Sequence, residues 1–495
     1  MQKTRQHQFM KIHATAFVVP AVLATAIIAA AALLYLPFKL VISLFVGLMG
    51  IALFMMTRHR RRLLLGLLVF VFPLNVDIYF IQQPSPGGAD GLAVGLVDIF
   101  LFLLAMITLL RGINSNRART LQFFPALLLP SIAILFFYLL SMLNAQDLLW
   151  SLFDTINLVK AILFYLIIAN NIQTEKDVQV MLFALFFGMI VQAGIATAIN
   201  IHPPVTEIFL RAKIGVAAEA KAGAAMGAFV RSGGSLGNAN HLGRYFGLLL
   251  PLAYMIILVR QNRTLNLMAI LAALCGTFAM ISTLSRSAWL GLVFSLMIMS
   301  PLLFRYRVMS FRTLAVLGLS TMLGAFLLSL FANVIWMRLT HDDHGSLMSR
   351  FTTAQVAWAI IQDHPFFGCG INNYGAMLAD YWIGEDTFTN KAAVHNNYLL
   401  YMAEIGLVGF TAVFWWLAAF GSRIFKAIKS VNPFFVAIAI GIFGGYAGML
   451  LESLSDKSYK ENFSLLLLIW AFMALIETII RLNGEQKYDH RAITA

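Results

Sequence analysis

The chain has 495 residues, of which 60% are hydrophobic and only 12% are charged, and its mean hydropathy is +0.82. A soluble domain is nearer half apolar and a quarter charged, and a disordered chain is more polar still. The composition therefore excludes both classes and predicts an all-α, polytopic membrane protein. The net charge of +13 does not require nucleic acid as a partner, because most basic residues lie in short tracts between apolar runs.

The apolar runs follow one another closely along the chain. In order they lie near 14–36, 38–56, 62–80, 91–110, 122–143, 150–170, 177–200, 240–259, 264–284, 287–304, 312–336, 395–420, 432–452 and 462–480. Each is close to the length of about 20 residues that crosses a bilayer as a helix. The sequence therefore predicts about fourteen transmembrane helices, with about twelve as the alternative.

The loops between these runs alternate in charge. The basic tracts lie at 58–62, 111–119, 260–263, 305–312, 423–429 and 481–491. These tracts fall on the same side as the basic N-terminus, whereas loops 81–90 and 144–149 on the other side contain no lysine or arginine. By the positive-inside bias, both termini are predicted to be cytoplasmic. The first apolar run is too long for the apolar region of a signal peptide, so we interpret it as a span.

Two polar stretches, 201–239 and 337–394, interrupt the run of short connections, and both are predicted on the non-cytoplasmic side. Long loops in a compact bundle are usually functional or disordered. The second contains interspersed aromatic residues and glycines, which indicates a folded cap, and its segment 350–361 has the pattern of a short amphipathic helix. The acidic and histidine run at 341–344 is more typical of a solvated loop than of a metal site, so no metal is predicted.

Some basic residues lie outside the cytoplasmic tracts, Lys457 and Lys460 among them, and each needs another explanation. The most informative group is RSGGSLGNANHLGRYFG at 231–247, which contains Arg231, Asn240, His241 and Arg244. A helix N-terminus flanked by glycines and arginines is an anion site, and His241 and Arg244 share a helical face. The alternative is that these residues are interfacial anchors.

Two further basic residues interrupt or enter apolar runs. Arg286 stands in TLSRSAWLG between two predicted spans, where a charge facing lipid costs at least about 2.5–3.5 kcal/mol, so a functional role is the leading hypothesis. Lys160 lies midway along 150–170. A structural ion pair and a substrate role are equally compatible with Lys160, and Asp154 is on a different face of that helix.

His395 falls where the chain re-enters the membrane after the second long loop. Its ordinary pKa of about 6.5 makes it the leading candidate for a base near neutral pH, with a capping or interfacial role as the alternative. Glu404 is about 13.5 Å further along the same predicted helix and on its opposite face, so it does not orient His395. No close pair of carboxylates, which a retaining double displacement needs, is evident on this side.

Four motifs occur in order between residues 225 and 410. They read R-S-G-G-S-x-G-N-x-N, S-R-S-A, D-H-P-F-F-G-x-G-x-N-x-Y and H-N-x-Y-L-x-x-x-A-E-x-G-x-x-G. Together they resemble the O-antigen ligase and polymerase superfamily. The resemblance implies a multi-pass enzyme of the bacterial inner membrane with a large periplasmic loop. Such enzymes move a glycan from an undecaprenyl-diphosphate carrier to an acceptor such as a glycan or the lipid A-core, without a cofactor or metal.

The resemblance also implies roles for individual residues. His395 matches the family's histidine at the loop-to-helix junction, and Arg231, Arg286 and Arg350 match arginines that hold the diphosphate or glycan. His395 and Arg286 are the predicted catalytic residues. The residues predicted to bind the diphosphate or glycan are Arg231, Arg244, Arg350, Asn240, His241, Asn396 and Lys160. Arginine forks suit a diphosphate leaving group and replace a metal in stabilising its charge. His395 then takes the proton of the attacking hydroxyl in a single, inverting displacement.

The predicted organisation has three parts. They are N-terminal transmembrane helices at 1–200, a ligase-like catalytic region at 201–420 that includes the loop 337–394, and C-terminal helices with a tail at 421–495. Two other functions remain open at this point. One is transport of an anionic solute along a pathway lined by the same arginines, and the other is protein O-glycosylation by the same chemistry.

Overall fold

A computed structural model describes residues 49, 57–85, 87–114, 121–201, 218–219, 231–259, 262–306, 346–382 and 393–494. Four predicted features lie wholly or almost wholly outside these ranges. They are the apolar runs 14–36, 38–56 and 312–336 and the acidic and histidine run at 341–344. Within the described ranges the fold is almost entirely helical.

The helices are α1 Arg60–Val71, α2 Leu96–Asn114, α3 Pro125–Ser141, α4 Leu148–Asn171, α5 Glu175–Ile201, α6 Ala239–Leu258, α7 Arg263–Ser282, α8 Arg286–Arg305, α9 Ser346–Asp363, α10 Tyr374–Tyr381, α11 Asn397–Ile428, α12 Pro433–Glu452, α13 Ser458–Glu461 and α14 Phe463–Thr494. Two small antiparallel sheets accompany them. The strands are β1 Asp77–Gln82 paired with β2 Gly91–Gly95, and β3 Ala218–Glu219 paired with β4 Arg231–Ser232.

Among the described residues, nine helices are long and apolar enough to cross a membrane. They are α3 to α8, α11, α12 and α14, and each coincides with one of the predicted apolar runs. The protein is therefore an all-α, polytopic membrane protein, as the composition predicts. The most buried of these helices are α12 and α14, so they form the centre of the bundle.

The predicted runs 62–80 and 91–110 need a correction, because each combines part of a helix with a strand of the β1–β2 hairpin. Helix α1 ends at Val71, and a short 3-10 turn leads through Asn75, whose φ is +52°, into the hairpin β1–β2. Pro73 lacks an N–H for continuing the helix, and the β-branched and aromatic residues that follow favour a strand. A short apolar run does not distinguish the two structures, which is why the sequence alone predicts one helix here.

The central helices approach each other closely. A side chain at Gly445 of α12 would place its Cβ 2.4 Å from the carbonyl oxygen of Leu248 on α6. Glycine therefore lets the two backbones touch, as is typical of helix pairs in membranes.

The described part of the second long loop, residues 346–382, folds into a cap with a hydrophobic core, in agreement with the predicted folded cap. Its helix α9 contains the whole predicted segment 350–361. Its buried side chains include Val356, Ile360, Tyr374 and Leu378.

The cap packs onto α11 at a break in that helix. Gly406 has a φ of +74°, and a Cβ there would lie 2.2 Å from the carbonyl oxygen of Phe366. The break frees two carbonyl groups of α11. These accept hydrogen bonds from the backbone of the cap, from Cys369 N to Ala403 O at 2.9 Å and from Gly370 N to Glu404 O at 3.0 Å. The break in α11 is thus what fixes the cap above this end of the bundle.

The two ends of the bundle differ in charge, as the sequence predicts. At one end, which we call the basic end, residues of the basic tracts pair with acids, for example Arg61 with Asp177 and Arg423 with Glu477, each at 2.6 Å. The loops that meet at the other end, which we call the cap end, are 83–90, 144–147, 363–373 and 453–462. Which compartment each end faces stays a prediction.

Candidate active site at the cap end

The centre of the site is Arg244, which is fully buried in the first turns of α6. Its Nη2 lies 2.9 Å from Asp456 Oδ2 and donates to Ser287 Oγ at 2.9 Å. Its Nη1 donates to the carbonyl oxygen of Asn240 at 3.0 Å. A buried guanidinium is tolerated only when it is paired and hydrogen-bonded, so Asp456 is an integral part of the site.

A second carboxylate lies near the same guanidinium. Glu452, at the end of α12, has its Oε2 3.7 Å from Arg244 Nε and accepts a hydrogen bond from the Tyr459 hydroxyl at 2.6 Å. Arg244 therefore has two acidic neighbours, and its positive charge is balanced by carboxylates of the protein itself.

His395 lies next to this pair. Its Nδ1 is 3.9 Å from Asp456 Oδ2, and its side chain keeps 29% of its surface exposed, so a substrate hydroxyl can reach it. Burial lowers the pKa of His395, and the charges of Lys457 and Arg350 lower it further, against the opposing effect of Asp456. His395 is therefore neutral at pH 7, which is the form that acts as a base.

Asp456 itself stays ionised. Burial acts to raise the pKa of Asp456, but the Arg244 charge and the hydrogen bond from Ser458 hold it below its ordinary value. The imidazolium that forms when His395 accepts a proton thus faces a carboxylate.

Two blocks that are distant in sequence meet around Arg231. Its Nε donates to the carbonyl oxygen of Thr283 at 2.9 Å, and its Nη2 donates to Asn240 Oδ1 at 3.2 Å. Thr283 lies just before α8, whose first residue is Arg286. The structure therefore brings Arg231, Asn240, Arg244 and Arg286 to one region, whereas their roles in the site stay a prediction.

His241 belongs to a neighbouring network. Its Nε2 lies 3.7 Å from Glu461 Oε2, and its Nδ1 lies 3.2 Å from Asn462 Nδ2. Burial alone would raise the pKa of Glu461, but the hydrogen bond with His241 and the charge of Lys457 lower it to about 2. Glu461 is therefore ionised at every physiological pH.

The remaining predicted residues have distinct places. Arg350 is exposed on α9 of the cap, close enough for its charge to act on His395. Asn396 caps α11, because its side-chain oxygen accepts from Tyr398 N at 2.9 Å and its amide donates to the carbonyl oxygen of Leu454 at 3.1 Å. It fixes the chain beside His395.

Lys160 has the structural ion pair that the sequence leaves open. Its Nζ lies 3.0 Å from Asp98 Oδ2 and donates to the carbonyl oxygen of Ala93 at 2.7 Å. These contacts anchor the β1–β2 hairpin to α4. Lys160 also lines the cavity described next.

A cavity of about 700 Å³ opens between the hairpin and the start of α6. This volume is in the range of ligand-binding pockets. Its polar lining includes Tyr79, Asp90, Lys160, Asn238, His241 and Glu461. Among the residues with described positions, no group of three or more His, Cys, Asp or Glu is arranged to hold a metal ion.

Sequence reasoning did not identify the loop 453–462 as part of the site. Lys460 of this loop lies 3.1 Å from Asp154 Oδ2 and 2.8 Å from Glu404 Oε2, all three buried. The sequence did contain an indication of this loop, because Lys457 and Lys460 are basic residues outside the cytoplasmic tracts. Asp456 could not be singled out in this way, since a single aspartate in a short loop is common.

Comparison with known families connects this geometry to an activity. The family model described as O-antigen ligase matches residues 269–414. The match contains Arg286, Arg350 and His395, whereas Arg244 and Asp456 lie outside it. No curated protein matches the chain. Residues 269–414 are therefore similar to the O-antigen ligase family, which supports a membrane glycan function of the O-antigen ligase or polymerase type.

Proposed function

We propose that the protein transfers a glycan from an undecaprenyl-diphosphate carrier to an acceptor sugar hydroxyl at the cap end. The acceptor is a lipid A-core or a growing polysaccharide, so the enzyme is a ligase or a repeat-unit polymerase. The observation that carries the proposal is His395, which is partly exposed, held neutral, and placed beside the Asp456–Arg244 pair. The proposed reaction uses no metal.

The proposed step is one inverting displacement. The neutral imidazole of His395 takes the proton of the acceptor hydroxyl while its oxygen forms a bond to the anomeric carbon of the donor sugar. The bond from that carbon to the diphosphate oxygen breaks at the same time, and the diphosphate leaves with the electron pair. Asp456 stabilises the imidazolium, as a carboxylate does for a protonated base.

The arginines divide into two roles. Arg244 is buried between Asp456 and Glu452, so we assign it to positioning these acids rather than to binding phosphate. Arg286 opens α8, where the helix N-terminus adds to its attraction for an anion. Arg350 is exposed on the cap, and its charge acts on His395. We therefore assign Arg286 and Arg350 to the diphosphate, with Arg231 orienting Asn240.

The pattern of burial supports transfer rather than transport. A pathway for an anion needs charges that face a route through the bundle. The charged groups described within the bundle are instead paired with one another, as in Lys460 with Asp154 and Glu404. Protein O-glycosylation uses the same step, and the identity of the product distinguishes it.

A deletion strain complemented with variants tests the proposal. Separation of carrier-linked from acceptor-linked glycan on a gel should show that His395→Gln leaves the glycan on the carrier. Full-length polymer on the carrier indicates a ligase, and single repeat units indicate a polymerase. The matched control is His59→Gln, an exposed histidine at the basic end, which should complement fully. Complementation by His395→Gln at normal protein levels would refute the assignment of His395.

A further inference from the structure

The cavity beside the hairpin has a charge opposite to that of the arginine region. Its lining contains the carboxylates of Asp77, Asp90, Asp98 and Glu461 against a single lysine, Lys160. Arg231, Arg244, Arg286 and Arg350 are all absent from its lining. The cap end therefore presents two adjacent regions, one rich in arginine and one rich in carboxylate.

Two of these carboxylates form ion pairs with neighbouring amines. Asp98 lies 3.0 Å from Lys160 Nζ, and Glu461 lies 3.3 Å from Lys457 Nζ. Asp90 keeps much of its surface exposed. Its partial removal from water raises the pKa of Asp90, and the charge of Glu461 adds to this, against a hydrogen bond from Ser85 and the charge of Lys457. A further anion placed here would meet the same repulsion.

Beside the apolar residues of the lining, several uncharged polar groups match the chemistry of a sugar ring. Tyr79 contributes an aromatic ring that is 42% exposed on the wall of the cavity, and Asn157 and Asn238 contribute amides. Carboxylates accept hydrogen bonds from hydroxyls, and amides both donate and accept. An aromatic ring offers an apolar face with a polar edge. Together these groups suit a hydroxylated ring rather than an apolar or ionic ligand.

The cavity also adjoins the proposed reacting residues. Asn238 caps α6, which carries Arg244 two turns further on. Glu461, which lines the cavity, is near enough for its charge to act on His395. A sugar held in the cavity therefore lies at the same end of the bundle as His395 and the arginines.

We propose that this cavity is the acceptor subsite, and that it takes a stretch of glycan that bears no carboxylate or phosphate. This inference rests on the proposed function and names the class of acceptor sugar. Specificity arises as much from repulsion of acidic sugars by the carboxylates as from attraction of neutral ones.

Binding of free trisaccharides to the full chain in lipid nanodiscs tests the inference. The probes are trigalacturonate and its trimethyl ester, which share one carbohydrate backbone and differ in charge. We expect the ester to bind at least tenfold more tightly, and Asp90→Asn to narrow this ratio at least threefold. The control variant is Asp363→Asn, an exposed carboxylate on α9 that bonds to Tyr381, and it should leave the ratio unchanged.

Two results would overturn the inference, namely equal affinity for the two probes or no binding of the ester. A third arm adds undecaprenyl diphosphate, which should leave ester binding unchanged. Displacement of the ester would show that the cavity belongs to the donor instead. The His395→Gln variant separates this test from that of the proposed function, because it should retain ester binding while losing transfer. Normal transfer by that variant, with the charge preference intact, would contradict the proposed function alone.

Discussion

At the scale of single residues, the site depends on how three charged or titratable groups share one buried space. Arg244 satisfies Asp456, Asp456 faces His395, and burial together with two nearby cations keeps His395 neutral. Burial of any one of these groups alone would cost free energy, whereas the three groups together compensate one another. His395 is therefore in its neutral form, which can accept a proton, at neutral pH.

The lowered pKa of His395 predicts the pH dependence of transfer. Only the neutral imidazole accepts a proton, so activity should fall as pH decreases through a pKa that lies below the ordinary 6.5. The rate measured with purified enzyme and carrier-linked glycan should fall to half of its plateau at a pH below 6.5. A midpoint at or above pH 6.5 would contradict the account.

Asp456 is predicted to be a positioning residue, and its removal should change the same profile. Asp456 raises the pKa of His395, so Asp456→Asn should shift the acidic decline to still lower pH while reducing kcat. A merely structural role would lower the amount of folded enzyme without moving the profile. Because Arg244 loses its closest partner in this variant, the rate should be normalised to folded protein measured by size-exclusion chromatography.

At the scale of elements, the loop 453–462 joins parts of the bundle that are far apart in sequence. Lys460 on α13 pairs with Asp154 on α4 and with Glu404 on α11, and its Nζ also donates to the carbonyl oxygen of Gly87 at 3.2 Å. These contacts fix the hairpin turn, α4, α11 and α13 relative to one another. The loop that carries Asp456 is therefore fixed to both α4 and α11.

Removal of Lys460 should destabilise the fold strongly. Lys460→Met leaves Asp154 and Glu404 buried without their cation, and loss of one partner from a buried pair costs about 3–5 kcal/mol. Thermal unfolding in detergent should show a large decrease in Tm. The triple variant Lys460→Met, Asp154→Asn, Glu404→Gln removes the charges together and should recover most of it. A single variant as stable as the wild type would contradict this role.

The same elements show what sequence reasoning can and cannot predict. Long apolar runs predicted the nine described spans because length and composition suffice for that inference. They did not predict that α1 stops at Val71, since a short apolar run fits a helix and a strand equally. Arg231, Arg244 and Arg286 could be singled out because a charge in an apolar chain needs a reason, and His395 because it stands where the chain re-enters the membrane. Asp456 could not be singled out from the sequence, because only its tertiary contacts with Arg244 and His395 connect it to the site.

At the scale of the whole molecule, the separation of charge between the two ends predicts its orientation. The basic end should face the cytoplasm and the cap end the periplasm, where carrier-linked glycan and acceptor meet. Cysteine accessibility in a Cys275→Ser, Cys369→Ala background tests this. A membrane-impermeant maleimide should label Asp90→Cys in intact spheroplasts but should label Thr174→Cys only after permeabilisation. The reverse pattern would place the site on the wrong side of the membrane for the proposed function.

The central claim is that His395 acts as the base for glycan transfer at the cap end. The most direct test is the single-turnover rate of transfer by purified His395→Gln in nanodiscs, with carrier-linked glycan bound at saturation. General-base catalysis contributes about 10²–10⁴-fold, so the account predicts a rate at least about a hundredfold below the wild type with donor binding unchanged. A rate equal to that of the wild type would contradict it.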